Sequence, residues 1–320
     1  MEKLIESDVK KAYTETYTKL LRDFCNDEKI CQIAKTYPFN RHNCVPAPFL
    51  PIIGSGYYEV PIRVAIYGME TLCWHDLSKF VQKFHNACSQ GKDPLAAVKL
   101  YTDGNLNGDR NEKHKVQRFH VHHGVDYWEK RKNAFGFWTF AFSVLADIYN
   151  KTEEQVRGDQ KILSSFIWGN VNAYEKYEAT WKKLKVASDK TKEKKEDWRT
   201  VFELSKRFNS AQLLLPYARP QIMVVFYKEM SLNWLTKKND EIPAAKVEVR
   251  KINWGQSKYV DILKENIQYY YLPESNTKVL QTLHPGRMRY YKGVGAKQWK
   301  AAIKHAIQSI MEENNISPSS

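Results

Sequence analysis

Two short stretches of this 320-residue chain carry residue types suited to chemistry, and each follows an apolar run. Gly68-Met69-Glu70-Thr71 places a carboxylate just after a β-branched segment, where a glycine lets the chain turn sharply and approach a ligand. His284-Pro285-Gly286-Arg287-Met288-Arg289-Tyr290 places an imidazole on a rigid turn, with two cations and an apolar tip behind it. A carboxylate can orient water, and an imidazole can donate to developing negative charge. Asn170, at the end of a third apolar run, offers both a donor and an acceptor. Each residue also has a plainer use: Glu70 in a cap or surface ion pair, Asn170 in a turn, His284 as a satisfied structural histidine.

Other constellations are weaker. His114, His120, His122 and His123 suggest a metal, and the His120-Val121-His122 alternation would put two imidazoles on one strand face. No neighbouring Cys or carboxylate completes a ligand set, so a polar surface loop is the competing account and no metal is called for. The chain contains no Gly-x-Ser-x-Gly, Walker-type loop or His-Glu-x-x-His. Gly54-Ser55-Gly56 precedes a strand pattern rather than following one, which argues against a dinucleotide cofactor. No cofactor is expected.

The elements that position these residues read as follows. Residues 3–36 have helical apolar spacing, and the prolines and asparagines from Pro38 to Pro51 signal a loop. Four segments suit buried strands: Val60–Tyr67, Leu163–Trp168, Gln221–Tyr227 and Lys278–Leu283. Helical patterns lie between them, including the very apolar Ala134–Tyr149, which is too short to span a bilayer and carries Asp147. Strands alternating with helices predict a parallel sheet covered on both faces, with ligands beyond the carboxyl ends of its strands. Residues 243–272 leave room for an extra strand pair. Residues 91–132 and 182–199 read as insertions, and residues 1–50 as an N-terminal helical extension to a single α/β domain spanning 1–320.

Apolar residues make up 42% of the chain, enough for a substantial core, so disorder of the whole is excluded. Fifty basic against 36 acidic residues give a net charge of +14, for which nucleic acid is the commonest partner, with an anionic membrane surface or a solvated basic face as alternatives. From Ser275 to Met311 no acid occurs, while Lys278, Arg287, Arg289, Lys292, Lys297, Lys300 and Lys304 do. A helix starting near Gly295 would put Trp299, Ile303, Ile307 and Ile310 on one face and most lysines on the other, with free amides at its start for a phosphate. An ordinary amphipathic helix with a basic solvent face is the alternative. The five cysteines are odd in number and form no Cys-x-x-Cys pair, which fits a reduced, cytoplasmic setting.

Taken together, these blocks resemble the uracil-DNA glycosylase superfamily, whose first strand is followed by a motif such as GQDPYH or GMNPG and whose last strand is followed by HPS and a variable loop. Gly68-Met69-Glu70-Thr71, with Trp74 six residues after Gly68, is similar to a divergent branch reading GQETxGW. Ser165-Phe166-Ile167-Trp168-Gly169-Asn170-Val171 resembles that branch's second-strand segment, and Pro220-Gln221-Ile222-Met223-Val224-Val225-Phe226 its third strand. The blocks occur in the family's order over about residues 60–295.

The resemblance implies a three-layer αβα fold with a central four-stranded, mostly parallel sheet. It implies a DNA glycosylase that flips a nucleotide out of the stack and cleaves its N-glycosidic bond, excising uracil or a modified pyrimidine. Glu70 and His284 would be catalytic. Gly68, Met69, Trp74 and Asn170 would hold the base, with Phe80 a second candidate for stacking. Arg287, Met288, Arg289, Lys292, Lys297 and Lys300 would meet DNA, and one of residues 287–289 would enter the duplex as a wedge. Thr71-Leu72-Cys73 replaces the family's PYH, whose tyrosine blocks bulky C5 groups, so a larger modified base fits as well as uracil. Some members attack modified phage cytosines, which places both DNA repair and anti-phage defence in view. The alternative is a non-catalytic DNA-binding module keeping the same fold. DNA is the partner in either case, and neither a membrane nor an obligate protein partner is implied.

Overall fold

The computed structural model describes residues 6–38, 45–68, 76–99, 136–171, 189–208, 210–227, 233–236, 244–255 and 261–318. In chain order the elements are α1 (Glu6–Cys25), α2 (Glu28–Thr36), β1 (Ile52–Ile53), β2 (Val64–Gly68), α3 (Leu77–Ser89), α4 (Phe137–Ile148), α5 (Glu153–Gly158) and β3 (Phe166–Asn170). They continue with α6 (Asp189–Ser205), α7 (Ser210–Ala218), β4 (Ile222–Tyr227), β5 (Glu248–Arg250), β6 (Ile267–Leu272), β7 (Thr277–Leu283) and α8 (Ala296–Glu313). Single helical turns lie at Gln160–Leu163, Asn233–Thr236, Asp261–Glu265 and Pro285–Met288.

The seven strands form one mixed sheet in the order β1-β3-β2-β4-β7-β6-β5. β3 pairs parallel with β2, β2 with β4 and β4 with β7. Antiparallel strands extend both edges: β1 on β3, and β6 and β5 beyond β7. The sheet is therefore wider than the four strands read from sequence. The extra pair, β5 and β6, falls within the stretch 243–272 where the sequence left room for one.

Period-two alternation sorts side chains to two cores. From β4, Ile222, Val224 and Phe226 join a core with α4, α5 and α8. Met223 and Val225 join the opposite core with α1, α2, α3, α6 and α7. Both faces of the parallel strands are thus covered by helices, which is why β4 reads as an unbroken apolar run. α4 is buried nearly all round, between the sheet and α8.

Several boundaries differ from the sequence reading for identifiable reasons. The helix expected over 3–36 breaks at Asp27, whose carboxylate accepts from the amides of Lys29 and Ile30 and so starts α2. α1 and α2 supply Tyr17, Leu21, Phe24 and Ile30 to the core on one face of the sheet. The mixed-charge run 182–199 leads into α6, whose Trp198 and Val201 are buried, so its second half is not an insertion. Residues 94–99, placed within the first expected insertion, are helical and bury Leu95 and Val98, while 100–135 lie outside the described residues. Leu163 closes a helical turn capped by Asp159, which delays β3 to Phe166. Among the described residues no helix is long and apolar enough to cross a membrane.

Phe226 is fully buried and sits edge-on to the rings of Phe137 at 5.8 Å and Phe140 at 6.1 Å. Phe226→Ala is expected to lower unfolding free energy by about 3–5 kcal/mol. Lys292→Ala, in an exposed turn, is expected to stay within about 0.5 kcal/mol of the parent. Urea or guanidinium titration of both variants checks the contrast.

Candidate active site at the strand ends

The carboxyl ends of β3, β2, β4 and β7 lie along one edge of the sheet, because those strands are parallel neighbours. β2 is the first of the four in the chain. Its successor β3 lies on one side of it and β4 on the other. Such a reversal leaves a crevice beyond the strand ends that connections do not fill. Gly68, Asn170, Tyr227 and His284 stand at this edge. Gly68 and His284 are separated by two strand spacings, about 10 Å across the sheet.

Gly68 is the last residue of β2 and pairs in register with Asn170, the last residue of β3. The Val171 amide donates to the Gly68 carbonyl at 2.9 Å and holds the two ends together. The glycine is required here by space rather than by a turn. A Cβ on Gly68 would lie 2.8 Å from Asn170 Oδ1 and 3.3 Å from the Phe137 ring. Asn170 is buried at 5% exposure, its amide lodged at the strand end. Phe137 opens α4, remains partly exposed, and packs edge-on to Phe226 and Trp138. The sequence placed it within a buried helix. Its position at the first residue of that helix, rather than its type, sets its ring against the Gly68–Asn170 strand end.

His284 follows β7 directly, and its amide donates to the Tyr227 carbonyl at 2.7 Å, tying the ends of β7 and β4. It caps the helical turn Pro285–Met288, with Nδ1 accepting from the Gly286 amide at 3.2 Å. An accepting Nδ1 leaves the ring proton on Nε2. Burial, with the Arg287 charge added, pushes the imidazole's pKa down to about 4. At neutral pH His284 is therefore an uncharged ring with an Nε2–H donor, suited to stabilising negative charge without giving up a full proton.

The loop beyond His284 divides. Arg287, Arg289, Tyr290 and Lys292 are exposed, Tyr290 at 65%. The Arg289 guanidinium lies 4.9 Å from the Tyr290 ring and donates to its hydroxyl at 2.8 Å. Met288, expected at the DNA surface as an apolar tip, is fully buried in the core with Trp299 and Ile303. The helical turn rotates it inward and Tyr290 outward. Lys297 is exposed, whereas Lys300 pairs with Glu153 of α5 and lies over the Phe140 ring. The Gly295 amide, expected to be free for a phosphate, donates to the Gln298 side chain. Phe80, the second candidate for stacking, is fully buried against Phe24 and cannot serve.

Met69, Glu70 and Trp74 lie outside the described residues, as do His114, His120, His122 and His123. Among the described residues Gly68 and Asn170 meet in register with Phe137 against them, while His284 and Tyr290 stand apart after β7; the sequence reading did not name Phe137 or Tyr290 as site residues. Among the described residues no group of three or more His, Cys, Asp or Glu side chains is arranged to hold a metal ion. No protein-family model, curated protein or solved structure matches the chain.

Gly68→Ala is expected to destabilise the fold by about 1–3 kcal/mol through overpacking against Asn170 and Phe137, read by denaturant titration. His284 is expected to titrate near 4 with the proton on Nε2 at neutral pH, both visible by NMR of the labelled imidazole. The folded pKa is below the ordinary 6.5, so the unfolded chain binds this proton first and His284 subtracts stability as pH falls from 6.5 toward 4. Asp147, whose carboxyl is raised to about 6 by burial, acts in the opposite sense. The difference in stability between parent and His284→Asn across that window isolates the histidine.

Proposed function

We propose that this chain is a DNA glycosylase of the uracil-DNA glycosylase type, excising uracil or a modified pyrimidine from a flipped nucleotide. The observation that carries the reading is His284 at the end of β7, its Nδ1 accepting from the Gly286 amide so that Nε2 is left to donate, on the same edge as the Asn170 amide. Cleaving an N-glycosidic bond leaves electrons on the base, chiefly on a ring carbonyl oxygen of a pyrimidine. A neutral imidazole donor stabilises that oxygen at neutral pH, where an exposed carboxylic acid would be ionised. Asn170 offers the paired donor and acceptor that a pyrimidine edge requires.

The remaining roles follow from position. Phe137 against the Gly68–Asn170 strand end and Trp74 beyond Gly68 are the rings available to stack on an extruded base. Glu70 would orient water toward the sugar carbon and offset its developing positive charge. Arg287, Arg289, Lys292 and Lys297 are the exposed cations for phosphate contact. Tyr290, backed by Arg289, replaces Met288 as the wedge that would fill the vacated stack. The four parallel strands in the order β3-β2-β4-β7, flanked by helices on both sides, support the same family reading. The cellular setting that suits it is DNA repair or anti-phage defence in the cytoplasm.

Incubation with duplex and single-stranded DNAs carrying uracil or C5-modified pyrimidines, followed by mass spectrometry of free base, tests the proposal. At least one substrate is expected to release base. Glu70→Gln and His284→Ala are each expected to reduce release by about 10²–10⁴-fold while salt-sensitive DNA binding persists. Binding with no base released from any substrate would instead assign the chain as a DNA-binding module.

A further inference from the structure

The opposite margin of the sheet carries a second feature, independent of the strand-end crevice. β5 is the outermost strand, and among the described residues nothing pairs with its outer edge. All three of its residues are exposed, and Val249, at 76%, is the most exposed large apolar residue described. An edge strand presents alternate unpaired amides and carbonyls, which makes it a template for one more strand. Beside it lies a groove of about 420 Å³ whose lining mixes the apolar Ile252, Trp254, Ile267 and Tyr269 with Arg250 and Gln268. Trp254 is fixed in that wall by stacking on His305, with ring centroids 5.5 Å apart.

Charge decides what fits. From Lys246 to Lys251 the edge carries Lys246, Arg250 and Lys251 against Glu248, a net of +2. Glu248 is already engaged by Arg250 of the same strand. A second copy would bring another +2 against this edge, in a chain whose total is already +14. Like charges placed opposite each other across a strand pair are destabilising. An acidic strand would meet the opposite situation. Arg250 registers with Tyr269 and Val249 with Tyr270, so acids on the face of Arg250 would meet it and Lys246, and apolar residues on the other face would cover Val249.

We propose that β5 is a docking edge for an extended acidic peptide segment of a partner protein, which adds an eighth strand to the sheet. Main-chain hydrogen bonds along the edge supply the affinity, and the basic side chains on one face with the exposed Val249 on the other supply the selection.

The probe is a fluorescein-labelled peptide of alternating acidic and apolar residues, Asp-Ile-Glu-Ile-Asp-Leu-Glu, titrated against the full chain by fluorescence anisotropy. Saturable binding is expected, weakened at least tenfold in Val249→Asp and in the double variant Arg250→Glu with Lys251→Glu. All of these sites are exposed, and unchanged melting curves would show that the fold persists. A peptide with proline at its central position is expected to lose binding, because it cannot complete the edge hydrogen bonds. Equal binding of the proline peptide would reduce the interaction to charge attraction and overturn the proposal. So would absence of binding at millimolar peptide. Sedimentation of a dimer that dissociates in Val249→Asp would assign the edge to a second copy. Duplex DNA that displaces the probe and binds Val249→Asp more weakly than the parent would assign it to nucleic acid.

Discussion

Both faces of β2, β3, β4 and β7 are buried under helices, and this constraint organises the molecule. A strand inside such a sheet has little room for polar side chains, whose burial without partners costs about 1–3 kcal/mol each. β7 is the exception, burying Thr277, Lys278, Gln281 and Thr282 along its length, with Gln281 accepting from the Trp234 indole at 2.9 Å. Gly68, Asn170 and His284 all stand at ends, and the pairing register brings the first two together. The same burial makes the apolar layers intolerant of change and leaves the loops beyond them free to vary.

Electrostatics at His284 follow from that placement. The imidazole is close enough to the apolar layers to resist charging, and Arg287 next to it adds a repulsion of the same sign. Arg287 is itself exposed, so one guanidinium can meet a phosphate outside while holding the ring neutral inside. A cation beside a histidine would be a poor design for a proton acceptor. It suits a donor whose task is to remain uncharged.

What was legible in the sequence follows the same division. The buried strands β2, β3, β4 and β7 were legible as short apolar runs between helical patterns. Their limits shifted where a cap intervened, as at Asp159 before β3 and Asp27 before α2. Both caps are acidic residues inside otherwise helical patterns and were available as signals. β5 was not legible as a separate strand because it is three exposed residues long, with no apolar face to mark it. Met288 and Tyr290 were beyond sequence reasoning. Which of two neighbours points inward depends on a single helical turn, and that turn is set by His284 capping it. Glu70 and Trp74 rest on the motif at Gly68, since their positions lie outside the described residues.

The basic stripe shows how linear charge counting misleads. Between Ser275 and Met311 no acid occurs in sequence, yet acids from other elements come to meet it in space. Glu153 of α5 takes Lys300, and Asp147 of α4 lies 3.7 Å from Lys304. The lysines on the body of α8 are thereby partly neutralised and tie that helix to its neighbours. Lys278 is buried in β7 and donates to the Asn276 side chain, so Arg287, Arg289, Lys292 and Lys297 remain, all exposed and all within the loop and first helical turn that follow β7. The stripe contracts to a patch that begins three residues after His284. The exposed positive charge of this stretch is therefore concentrated beside the end of β7 rather than spread along a helix.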